Sequence, residues 1–200
     1  MKYVLIVLFA FASSVQADDA WLKRVVALEK RIAALETQLA PVLEQERVKH
    51  VAAQQKERAR ERMMMDGEIY SRADLNIIEK LYQTANQDWR SEDAKKSLKL
   101  LADRYPRANR TGCAVLYLGQ MSEGDEQLDY LKQAIARHSG CYYGNGVQVG
   151  GYARLYLAMR HKKEGQDQRA GKLFEEIRTH FPDAIDHKGQ LLTSHLAGLE

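Results

Sequence analysis

The sequence has few of the residues that interrupt helices or cross-link chains. It contains three prolines and two cysteines among 200 residues, and 28% of its residues are charged. Proline breaks helices because it lacks a backbone donor, so its scarcity in a charge-rich chain favours helical structure. No segment shows a convincing strand pattern. The composition therefore predicts an all-α protein.

The chain also lacks an apolar run of membrane-spanning length. The longest run, residues 3–12, is about ten residues, whereas a transmembrane helix needs about 20. It follows Lys2 and precedes Val15-Gln16-Ala17, which resembles a signal-peptidase site. We expect residues 1–17 to be a signal peptide and the mature protein to be periplasmic, without stable membrane insertion after cleavage. An uncleaved N-terminal anchor is the alternative.

Excess charge of one sign and recognisable catalytic motifs are absent as well. The 30 basic and 27 acidic residues leave a net charge of +3, which gives no reason to expect a nucleic-acid partner. The histidines are scattered, and neither a His-Glu-x-x-His nor a Gly-x-Ser-x-Gly motif occurs. We expect no metal, no cofactor and no enzyme activity.

Cys113 and Cys141 are the two cysteines. In an exported chain such a pair predicts a disulfide bond. The bond would close a loop of about 29 residues, worth roughly 3–4 kcal/mol. Two free buried thiols are the alternative.

Residues 18–43 carry a heptad pattern, which predicts a coiled coil. Arg24 and Arg31 fall at position g, and Glu29 and Glu36 fall at position e. In parallel strands each arginine reaches the glutamate of the next heptad on a neighbouring chain. An amphipathic helix packed on its own domain is the alternative. The apolar seam consists of Trp21, Val25, Leu28, Ile32, Leu35, Leu39 and Val42.

Residues 24–29 and 31–36 share the pattern Arg-h-x-x-h-Glu, where h is apolar. The pattern resembles one found in short trimeric coiled coils, so we expect a parallel trimer, with a dimer as the alternative. Residues 44–70 are polar and rich in helix formers, which predicts a charged helical spacer or a flexible one.

Residues 71–200 read as successive helices with an internal period. Units 75–108 and 151–184 place small, bulky and proline residues at the same offsets, and a weaker unit spans 108–141. The matching residues are Tyr82, Ala85, Ala94, Leu98, Leu101 and Pro106 in the first unit and Ala158, His161, Ala170, Phe174, Ile177 and Pro182 in the last. The pattern resembles the tetratricopeptide repeat. The resemblance implies an α-α superhelix of helix pairs. Residues 139–150 then form an insertion and residues 187–199 a capping helix.

The order of the parts resembles the periplasmic cell-division coordinator family that associates with the Tol–Pal envelope machinery. In both, a signal peptide is followed along the chain by a trimeric-type coil, a charged spacer and C-terminal repeats. The resemblance implies an oligomeric scaffold or adaptor that binds protein or peptide partners in the cell envelope, in division or cell-wall coordination.

Residues 141–154 are rich in glycine and tyrosine, which favours a binding loop. A loop that only crosses between units is the alternative, and so is a cell-wall-fragment binding protein or enzyme that uses this loop. Arg107 and Arg110 could receive an acidic peptide terminus; a solvated turn is the alternative. The candidate loop residues are Tyr142, Tyr143, Asn145, Tyr152 and Arg154.

Overall fold

The computed structural model describes residues 2–196 and 198–199, with side chains from Asp19 onward. The side chains of the expected signal peptide, residues 1–17, lie outside this description. In the described part the secondary structure is helical, with two isolated β-bridges and no strand, so the predicted all-α class is confirmed. The helices are α1 (Lys2–Met65), α2 (Arg72–Gln87), α3 (Glu92–Arg104), α4 (Asn109–Met121), α5 (Gly124–His138), α6 (Val149–Lys163), α7 (Asp167–His180) and α8 (Leu192–Leu196).

None of the described helices combines the length and the apolar character needed to cross a bilayer. The chain forms two compact units, residues 1–47 and residues 48–200, and helix α1 contributes to both. The first unit consists of the part of α1 that carries the heptad seam. The second unit holds all other helices.

Local sequence signals fix several helix ends. The Ser71 and Ser91 hydroxyls accept hydrogen bonds from the backbone N–H groups of Asp74 and Ala94, at 3.2 and 3.0 Å. These are N-caps, which satisfy donors that the first helical turn leaves unpaired. After α6 the chain turns at Gly165, whose φ of +71° suits a residue without Cβ.

Helices α2–α3, α4–α5 and α6–α7 pack as consecutive pairs, and each pair packs on the next. The first helices of neighbouring pairs also touch, α2 with α4 and α4 with α6. Small residues allow this closeness; a Cβ on Gly119 of α4 would lie 3.1 Å from Leu131 of α5. Each of the three stretches proposed as a repeat unit overlaps one of these helix pairs, although α2 and α6 begin three and two residues before their units.

Two β-hairpin loops with the same hydrogen bonds follow α5 and α7. In the first, the Tyr143 N–H donates to the Val147 carbonyl at 2.9 Å. In the second, the Asp186 N–H donates to the Gln190 carbonyl at 2.8 Å. The bridges Tyr142–Gln148 and Ile185–Leu191 also correspond at an offset of 43 positions. The stretch at 139–150, which the sequence pattern predicts to be an insertion, therefore has an equivalent after α7. Among the described residues of the predicted capping helix at 187–199, the helix covers Leu192–Leu196, because the second hairpin occupies the residues before it.

The second half of α1, from Val48 to Met65, packs across these loops. Val51 lies in a buried apolar cluster with Ile185 and Leu191 of the second hairpin. The Gln55 amide donates to the Asp183 carbonyl at 2.8 Å, and Ala59 is fully buried. The sequence favoured a solvated spacer here. The buried face of this helix consists mostly of small or polar residues such as Gln55 and Ala59. The sequence therefore shows no apolar pattern that would predict its burial.

Cys113 and Cys141 are both free and buried, so the predicted disulfide is wrong. The Cys113 thiol donates to the Tyr142 carbonyl at 3.3 Å. The Cys141 side chain lies in the space that Gly112 leaves open on α4. Burial raises the pKa of both thiols. It thereby disfavours the thiolate through which disulfides form.

Candidate functional site

Six aromatic rings form a continuous line across the second unit, which we call the aromatic row. Each ring meets the next edge to face, with centroids 5.0 to 6.1 Å apart. This geometry is favourable because it places the positive edge of one ring on the negative face of another. The aromatic row consists, in spatial order, of Trp89, Tyr117, Tyr143, His187, Tyr152 and Tyr156.

The first helices and the two hairpins together position this row. Tyr117 projects from α4, and Tyr152 and Tyr156 lie one turn apart on α6. Tyr143 and His187 come from the first and second hairpin and bridge the helices. The row therefore exists only because the hairpin recurs, since each hairpin supplies one ring to the line.

The rings differ in their access to solvent. Tyr143, within the row, is 3% exposed and belongs to the core, whereas Trp89, at one end of the row, is 43% exposed. Tyr117, Tyr152 and Tyr156 are half-buried, and His187 is exposed. A partly buried aromatic line offers flat apolar area with polar tips, a composition enriched at protein interfaces.

The α6 end of the row opens into a cavity of about 400 Å³. Tyr152, Tyr156 and the exposed Met159 line one wall, and Asp186 and His195 lie among its polar residues. The His195 Nε2 lies 3.1 Å from the Asp186 carboxylate. Burial would raise the pKa of Asp186, but hydrogen bonds from the Gln190 and Lys188 N–H groups and from His195 together lower it.

An ion pair and a cation–π contact fix the α2 side of the row. The Arg110 guanidinium donates to the Glu79 carboxylate at 2.8 Å and lies 4.4 Å above the ring centroid of Tyr82. Tyr82 stacks on Tyr117 with centroids 5.9 Å apart. Burial would raise the pKa of Glu79, but hydrogen bonds from Gln83 and Arg110 together with the charge of Arg110 lower it.

Asn145 holds the imidazole of His187 in the row. The Asn145 amide donates to the His187 Nδ1 at 3.1 Å. A nitrogen that accepts a hydrogen bond belongs to a neutral ring. Burial lowers the pKa of His187, which outweighs the opposing effect of Asp186 and keeps the ring neutral.

The structure places the other sequence candidates elsewhere. Tyr142 is buried, and its backbone N–H and C=O both bond to the Asn109 amide, at 2.8 and 2.7 Å. Arg154 donates to Glu176 at 2.7 Å and to the Gly150 carbonyl at 3.0 Å. Arg107 is exposed and lines a cavity of which Arg110 is not a lining residue.

Sequence reasoning named Tyr143 and Tyr152 of the row and missed the other four residues. Tyr156 follows Tyr152 by four positions on a predicted helix, and this spacing was a usable signal. Trp89, Tyr117 and His187 carry no comparable local signal because they come from separate elements. No group of three or more His, Cys, Asp or Glu side chains within the described range is placed to hold a metal ion.

Comparisons of this chain with protein-family models, with curated proteins and with solved structures found no match.

Proposed function

We propose that this protein is an oligomeric scaffold of the bacterial periplasm. Residues 18–43 form a parallel trimeric coil, and the helix-pair domain binds protein or peptide partners of the cell envelope. The tetratricopeptide-type arrangement, the superhelix and the resemblance to the Tol-associated cell-division coordinator family belong to this proposal. Two features of the described residues support it, the uncovered seam of α1 and the aromatic row.

The seam is the observation that carries the proposal. Six of its seven residues are each 51% to 66% exposed in the single chain. Large apolar side chains in a continuous stripe mark a surface that another molecule covers. Because the stripe has heptad spacing, a second copy of the same helix fits it best. The six residues are Trp21, Leu28, Ile32, Leu35, Leu39 and Val42.

The charges beside the seam agree with parallel chains. Arg24, Arg31, Glu29 and Glu36 are exposed, and within the described chain none of the four has a hydrogen-bond or ion-pair partner. In contrast, Lys23 pairs with Asp19 at 3.3 Å along the helix. The four unpaired groups are those that the heptad register assigns to contacts between chains.

The aromatic row supplies the partner surface in this proposal. It runs across the first helices of the pairs, the surface that the repeat resemblance assigns to peptide recognition. Three copies joined by one coil would bind a multivalent partner with avidity, so each site can be weak.

The mass of residues 18–200 by light scattering tests the proposal. We expect a trimer that becomes monomeric in Leu35→Glu, because a buried carboxylate on the seam repels its copies. Val26→Glu is the matched control, since Val26 is exposed on the same helix outside the seam. A monomeric wild-type chain, or equal loss in both variants, would refute the coil.

Binding to the aromatic row is tested with the trimer as bait in an envelope extract. Tyr156→Ser should reduce the recovery of specific partners, because it removes the half-buried ring that ends the row beside the cavity. Lys132→Ser, at an exposed position of α5, is the control. Equal recovery by both variants would exclude the row as the partner surface.

A further inference from the structure

A second cavity, of about 460 Å³, opens beside the end of α1, the α3–α4 loop and the end of α5. We call this cavity the basic pocket, because three arginines and a histidine line it: Arg62, Arg107, Arg137 and His138. It shares no lining residue with the aromatic row. Its volume lies within the range of several hundred cubic ångströms typical of small-molecule sites.

Two arginines of the pocket, Arg107 and Arg137, are exposed and, among the described residues, have unpaired guanidinium groups. Arg62 is already engaged, since it donates to the Asp66 carboxylate at 2.6 Å and to the Arg107 carbonyl at 2.9 Å. The guanidinium groups of Arg107 and Arg137 have no hydrogen-bond or ion-pair partner within the described residues. Two unpaired guanidiniums in one concave site favour an anion, which they can bind by charge-assisted hydrogen bonds.

His138 faces the same positive surroundings. Burial, followed by the guanidiniums of Arg137 and Arg62, lowers its pKa. The imidazole is therefore neutral and adds a polar group without adding charge.

The remaining wall decides which kind of anion fits. Pro106 and the exposed side chains of Met65 and Ile69 form an apolar surface within the same cavity. An inorganic anion uses only charge and gains nothing from such a wall. The carboxylate of Glu68 also lines the cavity, and it disfavours ligands that carry two negative charges.

We propose that the basic pocket binds a carboxylate that carries an apolar group. The guanidiniums of Arg107 and Arg137 hold the carboxylate, and the apolar wall covers the substituent. Such a group can come from a free organic acid or from the last residue of a peptide chain. Neither source requires the coil or the aromatic row.

Calorimetric titration of residues 18–200 with N-acetyl-leucine tests this site. We expect saturable binding that is lost with N-acetyl-leucinamide, which has the same shape without the charge. Arg107→Gln and Arg137→Gln should each weaken binding about tenfold or more, as expected for a hydrogen bond to a charged group. Arg104→Gln is the matched control, because Arg104 is exposed nearby in α3 and does not line the cavity.

A nuclear magnetic resonance readout separates this pocket from other surfaces. The ligand should shift the imidazole signals of His138 and leave those of His187 in place.

Equal binding of the acid and the amide, equal loss in the Arg104 variant, or equal binding of phosphate would each overturn the proposal. A leucine-ended peptide that binds more tightly than N-acetyl-leucine would assign the peptide source. Equal affinity of the peptide and N-acetyl-leucine would assign the small acid. A monomeric chain that still binds would separate this site from the proposed scaffold.

Discussion

Gly146 lies in the turn of the first hairpin with φ of +94°, directly against α1. A Cβ at this position would lie 2.9 Å from the backbone carbonyl carbon of Gln55 and the backbone nitrogen of Lys56. Neither backbone can move easily, and a left-handed φ is costly for a residue with a side chain. The glycine content of this loop was visible in the sequence, but its cause, a close approach to a helix about 90 residues earlier, was not.

We therefore expect Gly146→Ala to lower the free energy of unfolding by about 1–3 kcal/mol. Gly144→Ala is the control, because a Cβ there meets no atom within 4 Å. Urea denaturation of both variants measures the difference. Equal midpoints would contradict the close contact between the hairpin and α1.

At the scale of elements, the second half of α1 keeps one face on the helix pairs and hairpins. Val51, Gln55 and Ala59 are buried at intervals of four residues, which is about one helical turn, so they share one face of the helix. Val51 packs on the second hairpin, and the Gln55 backbone lies against the first. Directly after α1, Asp66 accepts a hydrogen bond from the Asn109 N–H.

Ala59→Glu tests this packing, since Ala59 is fully buried. An unpaired carboxylate at this position should cost about 2–4 kcal/mol of folding free energy. Ala53→Glu, exposed on the same helix, makes the same change of charge and should stay within about 0.5 kcal/mol of wild type. Thermal or urea unfolding distinguishes the two variants. An Ala59→Glu variant as stable as the wild type would show that this part of α1 does not pack on the helix pairs.

At the scale of the whole molecule, two histidines with a lowered pKa link folding to pH. Burial is the main cause that lowers the pKa of both His138 and His187. Between these lowered values and the unfolded value of about 6.5, the unfolded chain binds more protons than the folded chain. The two neutral histidines therefore contribute their whole share of the free energy of unfolding above about pH 7. This contribution falls as the pH drops through the window and no longer changes below the pKa of the folded state.

We expect the urea midpoint to decrease between pH 7.5 and pH 5.5, and the double variant His138→Gln/His187→Gln to show a flatter profile. The slope is the readout, because the substitutions themselves change the absolute stability. The carboxylates whose pKa is lowered, among them Glu79 and Asp186, lose their contribution only at more acidic pH. An unchanged slope in the double variant would place the pH dependence on other groups.

Local patterns in the sequence determined the helices, their pairing and the heptad seam, because helical periodicity and caps depend on residues a few positions apart. The boundaries near Ser71, Ser91 and Gly165 follow from these signals. Only the tertiary structure decided the features that join distant positions. Cys113 and Cys141 pack as free thiols, and six rings from five segments form one row. Arg107 lines a cavity, whereas Arg110 pairs with Glu79. The physical reason is that burial and contacts between distant residues depend on how the helices and hairpins pack, and no local pattern records that packing.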